Sequence, residues 1–220
     1  IEICASQDAI VNYVKIQNEG KDANHAGTTH IRQLEKCVTH AVTLTLSGKL
    51  VRNNLNMVME AANSESHMYG LYLLNGETLT DNHTIVDNQQ PNCLSNELYK
   101  GIMDEKSTGV FNGKIFVRQD AQKTNAYQSN KNILISENAS ANTKPQLEIF
   151  ADDVKCSHGC TIGKLDQDAM FYLKARGISE QTARAMLLHA FAIDILDQIK
   201  NEEIRNYADK LISERLSYDF

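Results

Sequence analysis

The sequence contains no tryptophan, and only two of its 220 residues are proline, Pro91 and Pro145. Asparagine, by contrast, occurs 20 times. Asparagine tolerates left-handed backbone conformations and forms local side-chain turns, so it suits tight corners. Because the apolar residues come in many short runs, this composition predicts many strands joined by tight corners.

An excess of positive charge and a long apolar run are both lacking. The sequence has 22 basic and 28 acidic residues, a formal net charge of −6. Sequence-independent binding of nucleic acid needs a basic surface that neutralises phosphates, so this class of protein is disfavoured. No apolar run approaches the roughly 18 residues of a membrane-spanning helix, and no secretory segment is seen. We therefore expect neither nucleic acid nor a membrane as a partner.

The cysteines do not form the pattern of a disulfide framework. There are five of them, which is an odd number, and they are widely scattered: Cys4, Cys37, Cys93, Cys156 and Cys160. Such scatter is typical of a reducing compartment. The expected location is the cytoplasm.

Residues 1–164 show the two-residue periodicity of half-buried strands. Val42, Leu44 and Leu46 alternate with threonines, and similar short runs follow between clusters of Asn, Gly, Ser and Asp. The triplets IFV, ILI and LEI recur at spacings of 18 and 14 residues, at 115–117, 133–135 and 147–149. This recurrence favours solenoid coils built from short stacked strands. A β-sandwich is the alternative that the periodicity leaves open.

The pattern changes to that of amphipathic helices after residue 165. Asp166 and Ser179 are suited to cap two helices, and Gly177 is well placed to end the first. Three helices are predicted, over 166–176, 179–200 and 202–215. We therefore assign 1–164 to a β core and 165–220 to a small C-terminal helical domain.

No nucleotide-binding or catalytic motif is found. The stretch from Gly159 to Lys164 resembles a phosphate-binding loop, but only three residues separate Gly159 from Gly163, and Leu165 follows the lysine. A P-loop has four residues at that place and Ser or Thr after the lysine. A nucleophile elbow is also missing. The chain is therefore expected not to be an enzyme.

One group of metal-ligating residue types stands out, at Cys156, His158 and Cys160. On an extended strand, alternate side chains lie on one face, about 6.6 Å apart for positions i and i+2. Thiolate and imidazole together suit iron, zinc or copper(I). The alternative is that the cysteines are small buried hydrophobes and the histidine is merely hydrogen-bonded. Other histidines fall in separate predicted strands and give no such pattern: His40, His67 and His83.

The same region carries a family resemblance. KPQLEIFADDVKCSHG at 144–159, followed by TIG at 161–163, closely resembles the signature of the SufB/SufD family of iron–sulfur cluster assembly scaffold proteins. The CSHG tetrad is similar to the SufD branch in particular. Four further segments fit the same family: CLSNELYKG at 93–101, GVFNGKI at 109–115, QKTNAYQSN at 122–130 and MFYLKARGI at 170–178.

The resemblance implies a right-handed parallel β-helix (solenoid) followed by the small helical domain. It also implies a non-catalytic scaffold subunit that pairs with SufB as a heterodimer through the β-helix. The SufC ATPase, which supplies the hydrolysis, is implied to dock on the C-terminal helices. The cofactor implied is a transient iron–sulfur cluster shared with the partner, with none bound stably, and the isolated chain could form a homodimer.

The resemblance also assigns the site residues. His158 and Cys156 are implied to bind the metal of the nascent cluster near the partner interface, whereas Cys160 stands where alanine is expected in relatives. The family's N-terminal helical region is absent, so we expect a preceding region to be missing. Two alternatives stay open. One is a β-helix enzyme acting on polysaccharide, and the other is a structural metal-binding protein that uses all three side chains.

Overall fold

Twelve β-strands followed by three α-helices make up residues 1–218, the part of the chain that the computed structural model describes. The strands are β1 Glu2–Ala5, β2 Ile10–Asn18, β3 Asn24–Gln33, β4 Val38–Ser47, β5 Leu50–Met59, β6 Glu65–Leu74, β7 Leu79–Asn88, β8 Leu94–Met103, β9 Thr108–Val117, β10 Asn125–Leu134, β11 Ser140–Ile149 and β12 Lys155–Gly163. The helices are α1 Gln167–Ala175, α2 Glu180–Leu196 and α3 Glu202–Tyr218.

The strands form two six-stranded sheets in which the paired neighbours are parallel. The odd-numbered strands lie side by side in one sheet, the odd sheet, and the even-numbered strands in the other, the even sheet. Consecutive strands therefore alternate between the sheets, so each coil of the chain adds one strand to both. The predicted parallel β-solenoid is confirmed, with about six turns, and the sandwich alternative is not adopted.

The length of one coil corrects the spacing read from the sequence. In the odd sheet Leu50 pairs with Leu79, and Leu79 pairs with Thr108, so these two coils are each 29 residues long. The triplets at 115–117, 133–135 and 147–149 lie mainly on β9, β10 and β11, which alternate between the two sheets. The 18- and 14-residue spacings therefore measure half a coil each.

Each of five corners uses a left-handed residue two positions before an even-numbered strand. The φ angles lie between 58 and 61° at these residues: Asp8, Lys36, Asn63, Asn92 and Lys123. Their backbone N–H groups donate to the following coil, as Asn63 does to the carbonyl of Pro91 at 3.2 Å. The expected asparagine corners are thus present at two of the five positions. At the others, the ladder of hydrogen bonds holds Asp or Lys in a conformation that these residues disfavour.

The space between the two sheets holds the main hydrophobic core. Two glycines of the even sheet make room there for tyrosines of the neighbouring coil. A Cβ atom added at Gly70 would lie 2.2 Å from the Tyr99 ring, and one at Gly101 would lie 2.2 Å from the Tyr72 ring. Larger residues at either glycine would therefore displace a buried aromatic side chain.

The helices pack on the outer face of the even sheet. Side chains of β4, β6 and β8 share a second core with α2 and α3, including Val42, Leu44, Leu71, Ile102, Leu188, Ala192, Ile195 and Ile212. The helices therefore cover the middle coils rather than the last one. Because they share a core with the sheet, the division into a β core and a separate helical domain stays a prediction.

The helix boundaries agree with most of the sequence signals. Asp166 caps α1 by accepting from the backbone N–H groups of Asp168 and Ala169, and Ser179 caps α2. Gly177, with φ of 85°, follows the first helix as expected. The second helix ends at Leu196, earlier than predicted, and α3 continues three residues beyond the predicted end. Within residues 1–218, no helix combines the length and the apolar composition needed to cross a lipid bilayer.

Candidate metal-binding edge of the solenoid

The strand that carries the predicted site is the last one of the even sheet. Over the described residues, β12 pairs with β10 on one side and with no strand on the other. In the same way, β11 ends the odd sheet beside β9. The two strands together form the open end of the solenoid, where backbone N–H and C=O groups are available to a further strand.

Cys156, His158 and Cys160 occupy alternate positions of β12, so the extended segment puts them on one face. They lie in register with Ala126, Gln128 and Asn130 of β10, which are buried inside the solenoid. Cys156 is half-buried and packs against the interior core, whereas His158 and Cys160 are exposed. The row therefore continues the interior face of the coils onto an open edge.

Cys156 is the member of this row that the protein interior perturbs most. Burial raises the pKa of its thiol, and a hydrogen bond from the backbone of Ala126 partly opposes the increase. Because the thiolate is the form that binds metal, burial makes Cys156 a weaker ligand at neutral pH than an exposed cysteine.

The three side chains do not make a complete metal centre. Within residues 1–218, no group of three or more His, Cys, Asp or Glu side chains is gathered closely enough to hold a metal ion. A structural metal site needs such a preformed set, usually of four ligands. The structural metal-binding alternative and the assignment of Cys156 and His158 to a nascent cluster both stay predictions.

A buried polar row behind the site was missed by the sequence analysis. The interior positions of β10 after Ala126 are Gln128, Asn130 and Asn132, each 0–3% exposed. Gln128 donates from Nε2 to Glu97 of β8 at 2.6 Å. Burial raises the pKa of Glu97 to about 7, although the hydrogen bond from Gln128 lowers it. This interior row of β10, next to the open end, is thus polar rather than hydrophobic.

Two histidines that seemed unrelated in sequence lie together on the outer face of the even sheet. His40 and His67 are in register on β4 and β6, and their rings stack with centroids 4.7 Å apart. Burial lowers the pKa of His40 to about 4, with smaller contributions from His67 and Lys200. His40 is therefore neutral near physiological pH, and the stacking of the two rings stabilises the packing of adjacent coils.

Several carboxylates on or beside the odd sheet are engaged in ion pairs with the neighbouring coil. These carboxylates form cross-coil ion pairs with basic side chains, as in Arg32–Glu60, Arg52–Asp81, Lys114–Glu148 and Arg118–Asp87. General acid and base chemistry on a glycosidic bond requires two carboxyl groups held on either side of the substrate. The four pairs tie one coil to the next, and the enzyme alternative stays untested.

Comparison with known proteins identifies the family of this chain. Residues 1–191 match the family model described as the SufBD core domain of the SUF system for FeS cluster assembly. The chain belongs to this SufBD family. This membership confirms the resemblance seen in the sequence.

Two relatives illustrate how far the SufBD similarity extends. The chain is 40% identical over 198 residues to an iron-sulfur cluster assembly SufBD family protein of Synechocystis, covering 90% of this chain and 44% of that protein. It is 33% identical over 214 residues to the iron-sulfur cluster assembly protein SufD of Escherichia coli, covering 97% of this chain and 51% of that protein. The chain therefore spans about half the length of these relatives.

Proposed function

We propose that this chain is a non-catalytic scaffold subunit on which nascent iron–sulfur clusters are built and from which they are transferred. The observation that carries the proposal is the position of His158 and Cys156. They lie two residues apart on one face of β12, an edge strand with one side unpaired. An imidazole and a thiol on an open edge can bind iron while leaving coordination positions for a second protein.

SufB is the proposed partner at the open end of the solenoid. The edges of β11 and β12 have unpaired backbone groups, and large apolar side chains next to them are exposed, with Ile149 at 42%, Phe150 at 59% and Ile162 at 49%. A partner strand that continues either sheet would pair these groups and bury these side chains. In the absence of SufB, a second copy of this chain could use the same edge, which would give a homodimer.

The SufC ATPase is proposed to dock on the helices. A groove of about 550 Å³ lies between α2 and α3, on the side away from the sheet. It is lined by Met186 and Ile193, which are 48% and 42% exposed, and by the ion pair of His189 with Asp209. Exposed apolar side chains with a polar rim are typical of a protein-docking surface. Much of the remaining apolar surface of α2 and α3 packs against the even sheet.

The cluster is proposed to be transient and shared rather than a resident cofactor. One half-buried thiol and one imidazole supply fewer than the four ligands of a stable cluster, so the partner must supply the rest. All five cysteines are free thiols, which supports a reducing compartment, and we extend the proposal to the cytoplasm.

Co-expression with SufB and SufC, followed by purification without oxygen, tests the proposal. We expect the three chains to co-purify, with iron and acid-labile sulfide bound to the complex and lost on exposure to air. A chain that purifies alone, with no iron or sulfide in the presence of both partners, would contradict the proposed function. Zinc that persists in air would favour the structural metal-binding alternative instead.

A further inference from the structure

Gln128 is buried directly behind the candidate site, with one end of its amide engaged and the other free. Its Nε2 atom donates to Oε2 of Glu97 at 2.6 Å. Its Oε1 atom is buried and has no hydrogen-bond partner among the described side chains and backbone. Buried carbonyl oxygens without a donor are uncommon because they are destabilising, so a nearby donor is expected.

The register of the strands identifies this donor. Glu97, Gln128 and His158 occupy the same position on β8, β10 and β12. Side chains at such positions project to one face, with neighbouring strands about 4.8 Å apart. An ionised carboxylate only accepts hydrogen bonds, so Glu97 turns the amide N–H groups of Gln128 toward β8. On the other side of Gln128 the neighbour in register is His158, which makes no hydrogen bond to the free carbonyl oxygen in the structure.

We propose that Glu97 and Gln128 are positioning residues for His158. When the exposed ring of His158 turns toward β10, the amide oxygen of Gln128 accepts a hydrogen bond from one ring N–H of His158, and Glu97 holds that amide in the required orientation. The other ring nitrogen then keeps its lone pair and faces the open edge, ready for metal. Metal-binding histidines commonly have such an acceptor on the far nitrogen, which fixes the tautomer and raises the basicity of the ligand. The metal part rests on the proposed function, but the hydrogen bond does not.

The charge of Glu97 makes this arrangement depend on pH. The groups around Glu97 are Thr84 of β7, Gln128 of β10 and the apolar Met68 of β6, with Tyr99 as the titratable neighbour on its own strand. Burial raises the pKa of Glu97 to about 7. Below that pH the protonated carboxyl can itself donate to the Gln128 oxygen, so the amide is free to turn round. The orientation toward His158 is therefore fixed only above about pH 7.

Nitrogen-15 NMR of the metal-free chain, labelled at histidine, measures the tautomer of His158 at pH 8.5. We expect one tautomer to predominate in the wild type. The substitutions Gln128→Leu and Glu97→Gln should each reduce the tautomer ratio by about two- to tenfold, the equilibrium effect of one hydrogen bond. The wild-type preference should also weaken as the pH falls below 7, whereas that of Glu97→Gln should not follow this titration.

Ser95→Ala is the matched control. Ser95 is equally buried on β8 and also has an unpartnered side-chain oxygen, but it lies in register with Ala126 and Cys156 instead of His158. This variant should keep the wild-type tautomer ratio. An unchanged ratio in Glu97→Gln and in any folded Gln128→Leu chain, or an equal change in Ser95→Ala, would overturn the proposal.

A titration with Co²⁺ separates this inference from the proposed function. If His158 binds metal, the two positioning variants should bind Co²⁺ about tenfold more weakly than the wild type and Ser95→Ala. A tautomer preference that responds to the variants, in a chain whose complex with SufB and SufC holds no iron, would support the hydrogen bond and reject the cluster function. Iron bound to the complex, together with a tautomer ratio that the variants do not change, would support the cluster function and reject the hydrogen bond.

Discussion

Lys100 of β8 and Asp194 of α2 form the ion pair that fastens the helices to the even sheet. The Lys100 side chain is 4% exposed, whereas that of Asp194 is 56% exposed, so the pair sits at the boundary of the shared core. Lys100 also donates to the backbone carbonyl of Phe191 at 2.9 Å and lies over the ring of that residue. A buried ammonium group therefore depends on α2 for all of these contacts.

Asp194→Ala should destabilise the docking of α2 by about 2 kcal/mol, because it leaves a buried ammonium group without its carboxylate. Lys100→Met should have a smaller effect, since it removes the charge and keeps the apolar stem. Hydrogen exchange of the α2 amides and urea unfolding measure both changes. As a control, Glu77→Ala breaks the exposed pair with Lys106 and should change stability by less than about 0.5 kcal/mol. Equal effects of Asp194→Ala and Glu77→Ala would refute this role.

Glu97 should make the chain less stable as the pH rises. Burial raises its pKa from 4.5 to about 7, so the folded state holds this proton more tightly than the unfolded chain does. Stability from this group is then complete below pH 4.5 and decreases as the pH rises to about 7. The difference between the two pKa values corresponds to on the order of 3 kcal/mol.

Urea unfolding of the wild type and Glu97→Gln at pH 5 and pH 8 tests this expectation. The amide variant carries no buried charge at either pH, so its advantage over the wild type should be larger at pH 8. Since the other titrating groups are common to both proteins, they cancel in the comparison. A difference that is the same at both pH values would mean that Glu97 keeps an ordinary pKa in the folded chain.

The fold could be predicted where the interior of the solenoid is apolar. The triplets that end β9, β10 and β11 showed strands, and the capping residues Asp166 and Ser179 showed where two helices begin. The two-residue pattern failed on the interior row of β10, because Gln128, Asn130 and Asn132 are polar and yet buried. Their hydrogen bonds with neighbouring coils make that burial tolerable, and such partners are not visible in a local pattern.

Only the part of the site that lies on one strand could be predicted from the sequence. Cys156 and His158 are two positions apart, so strand geometry alone puts them on one face. Gln128 stands 31 residues after its partner Glu97, and His67 stands 27 residues after His40. Coil length varies from one turn to the next, so neither contact follows from a fixed period. Both contacts become evident only from the strand register of the folded chain.

Ile193→Asp should weaken binding of the SufC ATPase by at least tenfold if the groove between α2 and α3 is its docking surface. The substitution puts a charge among exposed apolar side chains that a partner would bury without compensation. Ile204→Asp is the control, since Ile204 is 37% exposed and lies outside the groove. Pull-down of SufC by the purified variants measures the effect, and circular dichroism checks the fold. Equal losses in the two variants would contradict the assignment to the groove.

Point variants are needed here because removal of the helices would uncover the second hydrophobic core. Val42, Leu71 and Ile102 on the even sheet are 0–1% exposed while α2 and α3 cover them. A chain shortened before residue 166 would expose this face to water and tend to aggregate. Loss of SufC binding in such a chain would therefore say little about where SufC docks.

His158→Ala should reduce the iron and acid-labile sulfide of the complex more than any other single change in the β12 row, with Cys156→Ala second. Neutral imidazole binds iron without losing a proton, whereas burial raises the pKa of the Cys156 thiol and so reduces its thiolate fraction. Cys160→Ala is the matched control, because it lies on the same face and is exposed like His158. Cys160→Ala should leave the iron and sulfide content of the complex nearly unchanged. The measurement is metal and sulfide per complex after anaerobic co-purification with SufB and SufC, with complex assembly checked by chain stoichiometry. Wild-type iron and sulfide in the His158→Ala complex would refute the assignment, and a collapse in the Cys160→Ala complex would move the ligand one alternate position along β12.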